Sequence, residues 1–181
     1  AEPLGYNDVS PLMARLLAEV GHAAAKLTRA EAAPIVEQPG HVNYFIGDDP
    51  AGWQAKVKTF GAVEYRNVYP GVDLRYYGNQ RQLEYDFIVQ AGADPADIRF
   101  NFDGVLDVEI AADGSLLLTL NEQGDQISFQ APVAYQDGAD GRVAIASQYV
   151  IHIDGTIGFD LGTYDTAREL VIDPILSWTS Y

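Results

Sequence analysis

VEYRNVYPGVDLRYYGNQRQLEYDFIV, residues 63–89, holds the densest β-forming and aromatic content of the chain, beside its clearest turn signal. Val72, Leu74 and Tyr76 alternate with Asp73, Arg75 and Tyr77. Gly78-Asn79-Gln80-Arg81 interrupts, and Leu83, Tyr85, Phe87 and Val89 then alternate with Gln82, Glu84, Asp86 and Ile88. A period of two on both sides of a Gly-Asn break predicts an antiparallel hairpin with one buried face. Tyr69-Pro70-Gly71 supplies the turn that leads into it.

The same signal continues outward in both directions. Upstream, residues 41–47 read as a strand ended by Asp48-Asp49-Pro50-Ala51-Gly52, and residues 53–60 as an extended segment. Downstream, Ala91-Gly92-Ala93-Asp94-Pro95 is a turn, and short strands are expected at 98–102, 105–111, 115–121 and 125–130. Asp103-Gly104, Asp113-Gly114 and Gly124-Asp125 punctuate them, and further strands are expected at 143–153, 156–161 and 169–172. About ten antiparallel strands must stack two sheets or close a barrel, because one open sheet leaves an apolar face wet. The expected fold is therefore mainly β, an antiparallel β-sandwich.

One short N-terminal helix is expected before this region. Ser10 is a good N-cap, Pro11 suits the first helical position, and Leu12, Leu16, Val20, Ala24 and Leu27 recur at helical spacing up to about Thr28. Residues 30–40, with Pro34 and Pro39, read as a connector. The expected organisation is an N-terminal arm, helix and connector over 1–40, a sandwich domain over 41–174, and an extended tail over 175–181.

Composition narrows the function classes. With 48% hydrophobic residues, the 181-residue chain can bury a full core, so its charge of −15 does not signal a disordered acidic polymer. That charge, from 26 acidic and 11 basic side chains, repels phosphate backbones and argues against a nucleic-acid partner. No cysteine is present, which excludes disulfides, thiolate metal sites and a cysteine nucleophile. No run approaches the roughly 20 apolar residues of a membrane-spanning helix, so no membrane insertion is expected. Ala1 at the start fits a mature secreted chain, or a segment of a larger one.

Chemistry-bearing residues are sparse. Glu84 and Asp86 share a hairpin face, as paired carboxylates do in glycosidases, but Arg75 on the facing strand and Arg81 near the turn are the expected ion-pair partners on a solvated face. Asp137-Gly138-Ala139-Asp140-Gly141 and Asp48-Asp49 offer carboxylates to calcium, yet neither has EF-hand spacing and both fit turn chemistry better. His22, His41 and His152 lie far apart, and no serine stands in a GxSxG setting. No cofactor and no metal site are expected. Tyr76, Tyr77, Tyr85, Trp53 and Trp178 are expected in the core or in cross-strand pairs, with sugar stacking as the alternative.

VNYFIGDDPAGW, the hairpin with its NQRQLEYDF run, APVAYQ and LVIDPILSWTSY together resemble an uncharacterised bacterial β-rich domain. That domain stands before SBBP-type β-propeller repeats in secreted and cell-surface proteins, and the likeness runs from about His41 to Tyr181. It implies an extracellular, non-catalytic module, and it carries no catalytic residues over to this chain. Similar domains usually have more β-rich sequence upstream of the NYFIG motif, where this chain has an arm and a predicted helix.

The expected function is an extracellular structural or interaction module at the cell surface, and not an enzyme. It would be a self-assembling surface or filament subunit joined by β-strand addition. Ile175, Leu176, Trp178 and Tyr181 of the tail, or the arm 1–9, would supply the donor strand, and the partner would be a second copy or another surface protein. A carbohydrate-binding module is the first alternative, and a glycan-active enzyme the second.

Overall fold

The computed structural model describes residues 32–79, 82–174, 176 and 177. Among these residues thirteen strands form, and every strand pair is antiparallel. The predicted hairpin is β3 (Val72–Asn79) with β4 (Gln82–Val89), in register from Val72↔Val89 to Asn79↔Gln82. Gly71 makes the turn before it at φ +70°, where a side chain would meet the Ala93 Cβ at 2.7 Å, so glycine is required twice over.

β1 (Ala32–Tyr44) and β2 (Gln54–Tyr69) precede the hairpin. β5 (Asp107–Ile110), β6 (Leu116–Thr119) and β7 (Gln126–Phe129) follow it. Then come β8 (Val133–Gly138), β9 (Gly141–Ile145), β10 (Ser147–Ile151), β11 (Ile157–Leu161), β12 (Leu170–Asp173) and β13 (Leu176–Ser177). They build a seven-stranded sheet in the order β1-β2-β3-β4-β12-β8-β9, a four-stranded sheet β13-β7-β6-β5, and the pair β10-β11. The insertion of β12 between β4 and β8 ties residues distant in sequence into the middle of the large sheet.

One core joins the layers, as expected of a sandwich. The inner face of the large sheet contributes Leu74, Tyr85, Phe87, Val89, Leu170 and Ile172, all at most 1% exposed. Leu116, Leu118, Ile127 and Phe129 of the small sheet, and Tyr149, Ile157 and Phe159 of the β10-β11 pair, close over them. Phe87 sits at the junction, with its ring centroid 5.6 Å from Phe159 and 6.2 Å from Phe100. Each fully buried side chain of this size contributes about 1.5–3 kcal/mol.

Several expectations need correction. The connector expected at 30–40 is strand from Ala32 onward, paired with β2 as far as Ala32↔Tyr65. Pro34 and Pro39 are tolerated there because β1 is an edge strand, and a register shift between Glu37 and His41 absorbs Pro39. Residues 98–102 form only the single bridge Phe100↔Ile157, although Ile98, Phe100 and Phe102 alternate and are buried. The strand expected at 143–153 breaks at Ala146, where the chain leaves the large sheet for the β10-β11 pair. The helix predicted at residues 10–28 lies outside the described residues.

Candidate functional site

On the outer face of the large sheet, the alternation that buries Tyr85 and Phe87 sends Asp86 and Ile88 the other way. β4 is central, however, and both are closed off from solvent at 7% and 2% exposure. The expectation of one buried face, with Glu84 and Asp86 on a solvated one, therefore fails at Asp86. Side chains of β3 and β12 crowd around it.

The expected ion pair is also redistributed. Arg75 is the cross-strand neighbour of Asp86, but its guanidinium turns to β2 and donates to Glu64 Oε2 from Nη2 at 2.9 Å and from Nε at 3.2 Å. Arg66 Nε donates to Glu64 Oε1 at 3.2 Å. Burial works to raise the Glu64 carboxyl, but the bonds from Arg75 and then Arg66 outweigh it and hold it below the usual carboxylate range. Asp86 accepts instead from the Tyr77 hydroxyl at 3.1 Å. Arg81 lies outside the described residues.

Asp173 ends β12 one step beyond the Ile172↔Phe87 pair, beside Asp86. Burial and then the Asp173 charge push the Asp86 carboxyl up to about 6, against the lowering influence of Tyr77 and Arg75. Burial and then Glu84 raise Asp173 as well, and its Oδ1 is buried without a hydrogen-bond partner among the described residues. Tyr135 borders the cluster under the Arg142 guanidinium, 4.0 Å from its ring centroid. The result is an acid-rich patch with shielded carboxylates. Among the described residues, no group of three or more His, Asp or Glu is placed to hold a metal ion.

A second feature is the β1-β2 ribbon. β3 accompanies β2 only as far as Ala62↔Tyr77, so among the described residues the two strands run on past the sheet paired to each other alone. From Val36 to Phe60 only Val42, Val57 and Thr59 are even half-buried. Phe45, Ile46 and Trp53 crowd the tip at 60%, 78% and 42% exposure. The Phe45 and Trp53 rings meet edge to face at 5.2 Å, and Trp53 Nε1 donates to the Gly47 carbonyl at 3.1 Å. The tip is thus an apolar knob at the end of a solvent-exposed ribbon.

Of the predicted partner-binding residues, Leu176 pairs with Phe129 on β7 of its own chain, at the rim of the small sheet. Ile175, Trp178 and Tyr181 lie outside the described residues, as do the arm 1–9 and His22. Both acidic loops make turns. Asp49 caps the short 3-10 turn Pro50–Gly52 by accepting from the Ala51 amide, and Gly138↔Gly141 closes a two-residue turn beside the Asp137–Arg142 ion pair. Tyr76 and Tyr85 pack in or against the core, whereas Trp53 is exposed. Sequence reasoning missed the pairing of Asp86 with Asp173, and also Gln136, whose buried amide bonds the backbone of 165–169. A β12 placed beside β4 was the signal needed, and local patterning does not contain it.

No helix among the described residues is long and apolar enough to cross a membrane. No curated protein and no solved structure matches the chain. Residues 21–175 match a family described as a domain of unknown function, DUF7948, so the chain belongs to that family.

Proposed function

We propose that this chain is an extracellular, non-catalytic interaction module displayed at the bacterial cell surface. The β1-β2 ribbon carries the reading. A two-stranded ribbon is marginal in water by itself, and an ordered tip of Phe45, Ile46 and Trp53 gains burial only when another surface covers it. The likeness to domains that precede SBBP-type propeller repeats supports an extracellular setting, as does the acidic composition. Partners join by strand addition at open sheet rims, including the β7 rim, where the tail of a neighbour would take the place of β13.

The test is a photo-crosslinking residue at position 46, in cells making the natural full-length protein. Adducts with a surface protein or a second copy, lost in Phe45→Ser/Trp53→Ser, are the expected result. An intracellular protein without adducts overturns the reading.

A carbohydrate-binding module is the second reading, favoured by the exposed Trp53 and Phe45 rings. Glycan binding measured by calorimetry and lost with Trp53→Ala would select it. A glycosidase would need two accessible carboxylates in a cleft, whereas Asp86, beside Asp173, is only 7% exposed.

A further inference from the structure

Among the described residues the large sheet ends in β9, a rim without the usual defences. From Gly141 to Ala146 the sequence is GRVAIA, with no lysine and no proline, and the ladder with β8 runs unbroken from Ala134↔Ile145 to Gly138↔Gly141. Gly141, Arg142, Val143 and Ala144 are all exposed. The two-residue turn makes Gly138 and Gly141 a hydrogen-bonded pair, so Val143 and Ile145 also bond to β8. The N–H and C=O groups of Arg142 and Ala144 consequently point away from the sheet.

We propose that β9 pairs with β9 of a second copy about a two-fold axis at Val143, joining two large sheets into one. Parity permits this register: Arg142 and Ala144 of one chain oppose Ala144 and Arg142 of the other as hydrogen-bonded pairs, giving four backbone bonds. Val143 meets its own copy at the close, non-hydrogen-bonded position, and Ile145 meets Gly141. Each flanking pair sets a large side chain against a small one.

Charge selects this rim for a copy of the same acidic chain. Arg142 is the single charge between Gly141 and Ala146. The β5 rim presents exposed Asp107 and Glu109, and the β1 rim is interrupted by two prolines and a register shift. An axis at Arg142 would oppose two guanidiniums, so the Val143 axis is favoured. A seam of this length falls below about 1,200 Å² of total buried area, which places the dimer at the weak end of protein association.

This inference rests on the strand-addition reading above and names the partner. The experiment is sedimentation velocity of the full chain over a hundredfold concentration range, at low and high salt. Wild type is expected to pass from monomer to dimer, more readily at high salt because the −15 charge on each chain is screened. Val143→Lys, which opposes two ammonium groups at the axis, should weaken the dimer at least tenfold. Ala144→Pro removes an outward N–H without touching the β8 ladder and should do the same.

A wild-type monomer throughout, or a dimer that both variants leave intact, overturns the proposal. Such a monomer that still crosslinks from position 46 to another surface protein would sink the β9 dimer while leaving the interaction-module reading in place.

Discussion

Tyr77 donates its hydroxyl to Asp86 at 3.1 Å, the one hydrogen bond to that carboxylate among the described residues, in a site that is 7% exposed and adjoins Asp173. The carboxyl is raised from 3.8 to about 6. The folded chain therefore holds this proton more tightly than the unfolded chain, and between about pH 4 and 6 stability falls as pH rises. Above that window the full penalty applies; below it there is none. Asp86→Asn keeps an acceptor for Tyr77 and removes the charge. It is expected to stabilise the protein at pH 7 by about 1–3 kcal/mol and to flatten the dependence between pH 4 and 6. Urea unfolding at several pH values measures this, and a destabilised Asn variant at pH 7 would contradict it.

Glu64 carries the opposite sign. Its carboxyl is held below 4.5, so the bonds from Arg75 and Arg66 stabilise the fold at neutral pH, and that stability is lost as pH falls through the lowered folded-state value. Both arginines are partly exposed, which discounts the effect. Glu64→Gln should cost about 1–2 kcal/mol at pH 7 and much less at pH 3. Equal losses at the two pH values would show that packing, not charge, is what Glu64 contributes.

Phe87 packs on Tyr85 of its own strand and joins β4 to the β10-β11 pair through Phe159 and through Phe100, which bridges to Ile157. Removing its ring leaves a cavity where the sheets meet, and Phe87→Ala is expected to cost about 3–5 kcal/mol. Phe45→Ala at the ribbon tip leaves no buried cavity and should change stability by less than about 0.5 kcal/mol. Thermal unfolding of the two variants side by side tests the contrast.

The hairpin was legible because its alternation and its Gly-Asn turn point to the same structure, and the inner face bears Leu74, Tyr85, Phe87 and Val89 as read. What local patterning missed depends on neighbours. Asp86 and Ile88 look like a half-polar outer row until β12 lies beside β4. Pro34 and Pro39 look like a connector until β1 proves to be an edge. Ile98, Phe100 and Phe102 have strand alternation and bury as strands do, yet lack a ladder because turns close on both sides. The ribbon tip was hidden for a related reason. NYFIG reads as an ordinary strand, and nothing in a period of two says that β1 and β2 outrun β3.

Gln136 makes a last case in which one buried amide holds a loop. Its Nε2 donates to the Asp165 carbonyl at 2.8 Å and to the Arg168 and Glu169 carbonyls at 3.3 and 3.2 Å, and its Oε1 accepts from the Asp165 amide at 2.9 Å. These bonds pin residues 165–169 against β8 just before β12 enters the sheet. Gln136→Leu keeps the volume and strips every one of them, leaving backbone groups to find water. The expected loss is about 1–3 kcal/mol. Hydrogen exchange should rise first at the Asp165 amide and spread to Leu170, while the β6-β7 pair stays protected. Uniform acceleration across the molecule would mean instead that Gln136 acts on global stability and not on the loop it contacts.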